Sequence, residues 1–228
     1  MNHKKVTTKR LVLYVFGLFF LSLGVSFSIE ADLGVSPVSS LAYALTLSAG
    51  LSIGITTVLS NVLYVIVQII LNKRIDMREF AVQFIILFLF GFFMDSTLFI
   101  VQLFPTPENI IIRLFYLIIS LFIIAAGLLC YSTAKLPLMP YDALTFVIRD
   151  RFKLEFSKAK MASDGINVFV SATICLTFVQ SLGSVGIGTI IAAYCIGKII
   201  GLMKVYFYKP LYQWVYEQKS SDEKTNVV

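Results

Sequence analysis

Leu33-Gly34-Val35-Ser36-Pro37-Val38-Ser39-Ser40-Leu41 decides how this chain is built, because it returns about 105 residues later as Leu136-Pro137-Leu138-Met139-Pro140-Tyr141-Asp142-Ala143-Leu144. Each copy follows a long apolar stretch and precedes two more. Leu51-Ser52 recurs as Phe156-Ser157, Asn61 as Asn167, and the last stretch of each copy carries Gly91 with Asp95 or Gly197 with Gly201. Internal duplication of this kind is how many transporters build a central site.

Composition fixes the class. The chain has 228 residues, is 58% apolar and has a mean hydropathy of +0.86, more than a soluble core needs. Uncharged stretches run over 11–29, 33–72, 80–94, 114–134 and 165–197, and about 20 apolar residues suffice to cross a bilayer. The first stretch follows Lys4, Lys5, Lys9 and Arg10 as a secretory signal would. Its 19 uncharged residues, with no small-x-small cleavage site, point instead to an uncleaved anchor.

The two proline-led segments are the exceptions. Pro37 to Gly50 spans about 13 residues, and Pro140 to Arg149 is shorter; at 1.5 Å per residue neither crosses a ~30 Å hydrocarbon core. Proline is favourable in a first helical turn, where its missing N–H has no partner to lose, and Ser36, Ser39 or Asp142 can cap the exposed donors. Both segments therefore read as half-helices.

The expected fold is an all-α polytopic membrane protein of two tandem repeats, each with three transmembrane helices plus one short or re-entrant helix. Six full spans result, at about 10–30, 56–72, 80–103, 112–134, 161–180 and 186–204, or eight if both short helices cross. With six spans and both termini cytoplasmic, 16 of the 19 Lys and Arg face inside; with eight, Lys73, Arg74, Arg78 and Lys135 move outside. The positive-inside rule favours six. The corresponding division is a cytoplasmic N-terminal tail 1–10, repeat 1 over 11–104, an external loop 105–110, repeat 2 over 111–205, and a cytoplasmic interfacial and disordered tail 206–228. Three crossings per repeat make the second half run opposite to the first. The two half-helices then aim their N-termini, with unpaired N–H groups and partial positive charge, at the membrane centre. Such ends suit an anionic or strongly polar ligand.

These residues resemble the YczE/YitT-like bacterial integral membrane proteins, whose pattern is a duplicated Leu-Gly-x-Gly-Pro-x-Asp turn, a Gly-x-Ser segment and a Gly-rich final helix. Leu33, Gly34, Pro37, Gly50 and Ser52 match in the first copy, and Pro140, Asp142, Ser157 and the Gly183–Gly188 run in the second. Ser39 stands where the first copy would carry the acid, and Met139 where the second would carry the glycine. The resemblance implies a multi-pass protein of the bacterial plasma membrane and supplies no substrate.

Polar residues inside the apolar stretches are candidates for a site. Ser36, Pro37, Ser39, Ser40, Pro140 and Asp142 at the half-helix starts would hold a ligand, with Asn61 and Asn167 lining its path or merely bonding neighbouring helices. Asp95, Asp142 and Lys198 are candidates for proton or ion coupling, since a carboxylate in hydrocarbon costs ~2.5 to 3.5 kcal/mol on insertion scales and needs a cavity or partner. Their structural alternatives are an interfacial position for Asp95, N-capping by Asp142, and snorkelling of Lys198 to the headgroups. Asp164 can pair with Lys160. The net charge of +6 follows from the inner loops rather than from nucleic-acid binding. Cys130, Cys175 and Cys195 lack metal or redox spacing, and the single histidine, His3, lies in the charged tail.

No metal-binding His-Glu-x-x-His, phosphate loop or nucleophile elbow occurs in the chain, so no enzyme activity and no cofactor are expected. The expected partners are the lipid bilayer and a small polar solute, with a homo-oligomer as a further option; Gly197-x-x-x-Gly201 lets helices approach closely and points to packing within the bundle ahead of dimerisation. The leading expectation is a secondary transporter or exporter of a small polar or anionic solute. The alternative is a non-transporting accessory protein that docks a partner enzyme through the basic 149–160 loop and the aromatic segment from Tyr206.

Overall fold

The computed structural model describes residues 3–72 and 77–216. The expected disordered tail from 217 onward, and residues 73–76 of the basic group at 73–78, lie outside them. Among the described residues every regular element is helical: α1 His3–Glu30, α2 Pro37–Ala49, α3 Ile53–Asn72, α4 Met77–Val101, α5 Ile110–Thr133, α6 Pro140–Phe152, α7 Phe156–Ile174, α8 Ile187–Met203 and α9 Lys209–Tyr216. One π-helical turn, Cys175–Val179, extends α7, and another, Lys204–Tyr208, joins α8 to α9. Six of these helices are long and apolar enough to cross a membrane. The long-short-long-long order occurs twice.

The two short helices have 13 residues each, about 20 Å, too little for a crossing. Both start on proline. Each ends in a left-handed residue whose N–H returns to the last turn, Gly50 to the Thr46 carbonyl and Lys153 to that of Arg149.

The halves interlock. α2 packs on α7 and α6 on α3, while α4 and α8 pack on α1 and α5 respectively. The main contact is α1 on α5, and glycine makes it possible: a Cβ on Gly17 would lie 2.9 Å from the Gly127 carbonyl, and one on Gly127 would lie 2.9 Å from that of Gly17. A methyl at either point would force the helices apart.

Two connecting loops are held at opposite ends of α1. The first follows Glu30 and is tied to the turn before α8, with Gly188 N–H donating to Leu33 at 2.7 Å and Val35 N–H to Ser184 at 3.1 Å. Gly34, at φ +92°, lies so close to Gly186 that no side chain fits there. Near it Arg113, at the start of α5, pairs with Asp32 at 2.8 Å. The second loop follows α5 and lies along the first half of α1, where Arg10 donates to Ala134 at 2.9 Å and Tyr14 to Pro137 at 2.8 Å. The aromatic segment joins this end as α9. Lys9 reaches the Trp214 carbonyl at 2.9 Å, and the Lys135 ammonium sits over the rings of Tyr212 and Tyr216.

The pairing of α3 with α4 is tight, whereas α7 and α8 lie apart. A Cβ on Gly91 would stand 2.7 Å from Val58 Cγ2 and 2.9 Å from the Gly54 carbonyl. One on Gly197 or Gly201 would meet nothing within 4 Å.

Candidate functional site

α7 shows how the short helices are oriented. Its Asn167 amide donates to the Pro37 carbonyl at 2.6 Å and its Ser171 hydroxyl to Ser40 at 3.0 Å, so α2 runs from the middle of α7 toward its C-terminal end. Tyr141 donates to Asp164, Thr145 to Ser163 at 3.4 Å, and Phe146 stacks near Phe156 with centroids 5.0 Å apart. α6 therefore runs toward the opposite end. The two N-termini begin within about one turn of each other on α7 and point at a common interior.

That interior is a cavity of about 370 Å³. Ser36, Pro37 and Ser39 from the first short helix reach it, as do Met139, Tyr141 and Asp142 from the second. α3 contributes Thr57, Ser60, Asn61 and Tyr64; α7 contributes Phe156, Lys160 and Asp164. The remaining wall is apolar: Leu21 and Val25 of α1, Phe90 and Met94 of α4, Ile124 and Leu128 of α5, and Ala192, Ile196 and Ile200 of α8. Gly197 lies on the rim beside the gap between α7 and α8.

Three polar atoms on this wall have no partner. Thr57 Oγ1, Ser60 Oγ and Asn61 Oδ1 belong to side chains only 4%, 3% and 5% exposed, and none of these atoms makes a hydrogen bond. An unpaired buried polar atom costs about 1–3 kcal/mol, so three on one helix face within one turn are a concentrated expense that packing alone does not require. Asn167 is the contrast. It donates to Pro37 and Val38, and its oxygen accepts from the Tyr64 hydroxyl at 2.7 Å. The corresponding service to Pro140 comes from Gln68, whose amide donates to that carbonyl at 2.9 Å.

The charged groups are arranged asymmetrically. Lys160 pairs with Asp164 at 2.7 Å and lies 4.5 Å from the centre of the Tyr141 ring. Asp142 is in the first turn of α6, near the Tyr131 hydroxyl, and has no ion-pair partner among the described residues. The Tyr131 hydroxyl in turn accepts the Met139 N–H at 2.6 Å.

Of the residues the sequence singled out, Ser36, Pro37, Ser39, Asn61 and Asp142 line the cavity, whereas Ser40, Pro140 and Asn167 stand behind the wall and hold the short helices in place. Asp95 and Lys198 lie elsewhere and do not meet. Asp95 accepts the Gly54 N–H at 2.7 Å and the Ser52 hydroxyl at 2.9 Å, capping α3 from the neighbouring helix. Lys198 is exposed on the outer face of α8, bonded to the Tyr194 hydroxyl and 4.1 Å from that ring's centre. Sequence reasoning passed over Thr57, Ser60, Tyr64 and Gln68. Their spacing with Asn61, at 57, 60, 61, 64 and 68, is one stripe of a helix and was available as a signal.

The sequence of this whole bundle, from residue 8 to residue 205, matches one family. The chain belongs to DUF6198, a family of unknown function. This match does not confirm the finer resemblance to YczE/YitT-like proteins drawn from the paired turns. The chain is also similar to the "Uncharacterized protein YyaS" of Bacillus subtilis (strain 168), with 29% identity over 189 residues, covering 82% of this chain and 88% of that one. No solved structure matches the DUF6198 chain significantly.

Proposed function

We propose that this DUF6198 protein is a secondary transporter of a small polar solute, residing in the bacterial plasma membrane with both termini cytoplasmic, and working by alternating access around the cavity between its short helices. The observation that carries the reading is the trio of unpartnered polar atoms, Thr57 Oγ1, Ser60 Oγ and Asn61 Oδ1, buried on the wall of a cavity large enough for a small molecule. Buried polar groups are normally satisfied, and a bound solute would satisfy these. Crossed packing of α2 on α7 and α6 on α3 supports two antiparallel repeats, the architecture in which one half rocks against the other.

The unequal pairing of the outer helices supports a defined state. α3 and α4 are closed at Gly54 and Gly91, in the half of the bundle where α3 begins and α4 ends, while α7 and α8 are open beside Gly197, which shares the cavity wall with Phe156 and Lys160 of the basic 149–160 segment. With that segment cytoplasmic, the cavity faces inward. The outward state would close α8 onto α7 and part α4 from α3. Asp142 is the group placed to carry a coupling proton, because it alone of the expected coupling residues reaches the cavity.

The accessory-protein reading keeps the exposed basic 149–160 segment and the exposed Tyr206, Phe207 and Trp214, while α9 packs in part on Lys9, Lys135 and Thr133 of the same chain. Proteoliposomes loaded with a pH-sensitive dye, challenged with a panel of small amines, carboxylates and polyols, test transport. Solute-driven proton movement that Asn61→Leu abolishes is expected. If nothing in the panel moves and Asp142→Asn cells behave as wild type, transport is excluded.

A further inference from the structure

We propose, resting on that reading of the cavity, that its ligand is a small organic cation, a protonated amine on a compact apolar body. The unpartnered atoms state which hydrogen-bonding role is missing. Asn61 Nδ2 lies 2.9 Å from the Thr57 carbonyl, an acceptor that only the amide nitrogen can face, so the orphan is fixed as Oδ1 with both lone pairs unused. An orphan acceptor needs a donor. The Thr57 and Ser60 hydroxyls beside it can accept as well as donate.

Charge points the same way. Lys160 is already engaged by Asp164 and by the Tyr141 ring, and Tyr141 gives its own proton to Asp164. Asp142 is left as the cavity's carboxylate without an ion-pair partner among the described residues. An anion drawn to the half-helix ends would find the first turn of α6 occupied by that carboxylate, which already takes the favourable interaction with the helix dipole. A cation meets no such obstacle at Asp142. Tyr64 and Phe90 add aromatic rings to the lining, and Leu21, Val25 and Ile124 give its apolar body an apolar wall. The volume of about 370 Å³ is at the small end of the roughly 300–1,000 Å³ typical of ligand pockets.

Binding of three near-isosteric probes to the full-length protein in detergent tests the assignment: 2-phenylethylammonium, 2-phenylethanol and phenylacetate, each by isothermal titration at neutral pH. The ammonium should bind at least tenfold more tightly than the other two, and Asp142→Asn should remove at least tenfold of that preference. Asn61→Leu should weaken the ammonium similarly in a protein that elutes as wild type, and Asp150→Asn, exposed in the last turn of α6, should change nothing. Phenylacetate binding as tightly as the ammonium, with dependence on Asn61, overturns the cation and leaves the cavity as a solute site. An ammonium preference unmoved by both cavity variants, or no binding by any probe, overturns the assignment, and the flux panel then judges transport separately.

Discussion

Asn167 holds Pro37 across 130 residues of sequence: its side-chain amide donates to the proline carbonyl at 2.6 Å, joining a helix of the second half to the short helix of the first. Gln68 does the same for Pro140 in the reverse direction. A helix that stops in the middle of a bilayer exposes polar backbone, which hydrocarbon tolerates only where protein or a cavity covers it. Each half supplies that cover to the other.

Asn167→Leu should therefore destabilise the protein by about 2–3 kcal/mol, because it strips the Pro37 carbonyl and the Tyr64 hydroxyl of their partner inside a buried site. Thermal unfolding in detergent measures it. A melt within a degree of wild type would contradict the role given to this amide.

Asn61→Leu should behave oppositely although the spacing of the two proline-led segments pairs Asn61 with Asn167. Its oxygen has nothing to lose and its nitrogen serves only the Thr57 carbonyl one turn back, so stability should change by about 1 kcal/mol or less. Solute flux in proteoliposomes should nevertheless fall to background.

Asp95→Ala should cost about 1–2 kcal/mol, the usual range for losing a helix cap, since the carboxylate closes the start of α3. Flux per folded molecule should survive. Asp142→Asn should show the reverse, intact melting with flux lost, and paired melting and flux assays on both variants decide the matter.

Gly197→Val should leave unfolding unchanged, because nothing lies within 4 Å of the added carbon, yet it should block closure of α8 on α7 and reduce flux at least tenfold. Gly91→Val should lower the melting temperature, its side chain falling on Val58 and Gly54. Equal melting losses in the two variants would contradict the unequal pairing.

Much of this was legible in the sequence because its causes are local. Pro37 and Gly50 bracket a helix too short to cross, and uncharged runs mark the six long ones. Lys198 stood between coupling and snorkelling, because position along α8 alone does not fix its face. Helical periodicity puts Lys198 on one face with Tyr194 and turns Ala193, Ile196, Gly197 and Ile200 toward the cavity. Asp95 was ambiguous because its partner is a backbone N–H at the end of another helix, which only tertiary structure brings near. Asn61 and Asn167 looked equivalent. What separates them is Tyr64, which reaches Asn167 and leaves Asn61 facing space.

The central claim is that the two short helices leave the middle of the membrane toward opposite surfaces, and single-cysteine labelling in intact cells tests it most directly. With Cys130, Cys175 and Cys195 replaced, Leu51→Cys follows α2 and Glu155→Cys precedes α7, both at exposed positions. A membrane-impermeant maleimide should label position 51 from outside and position 155 only after the cells are opened. Labelling of both from the same side would contradict the account.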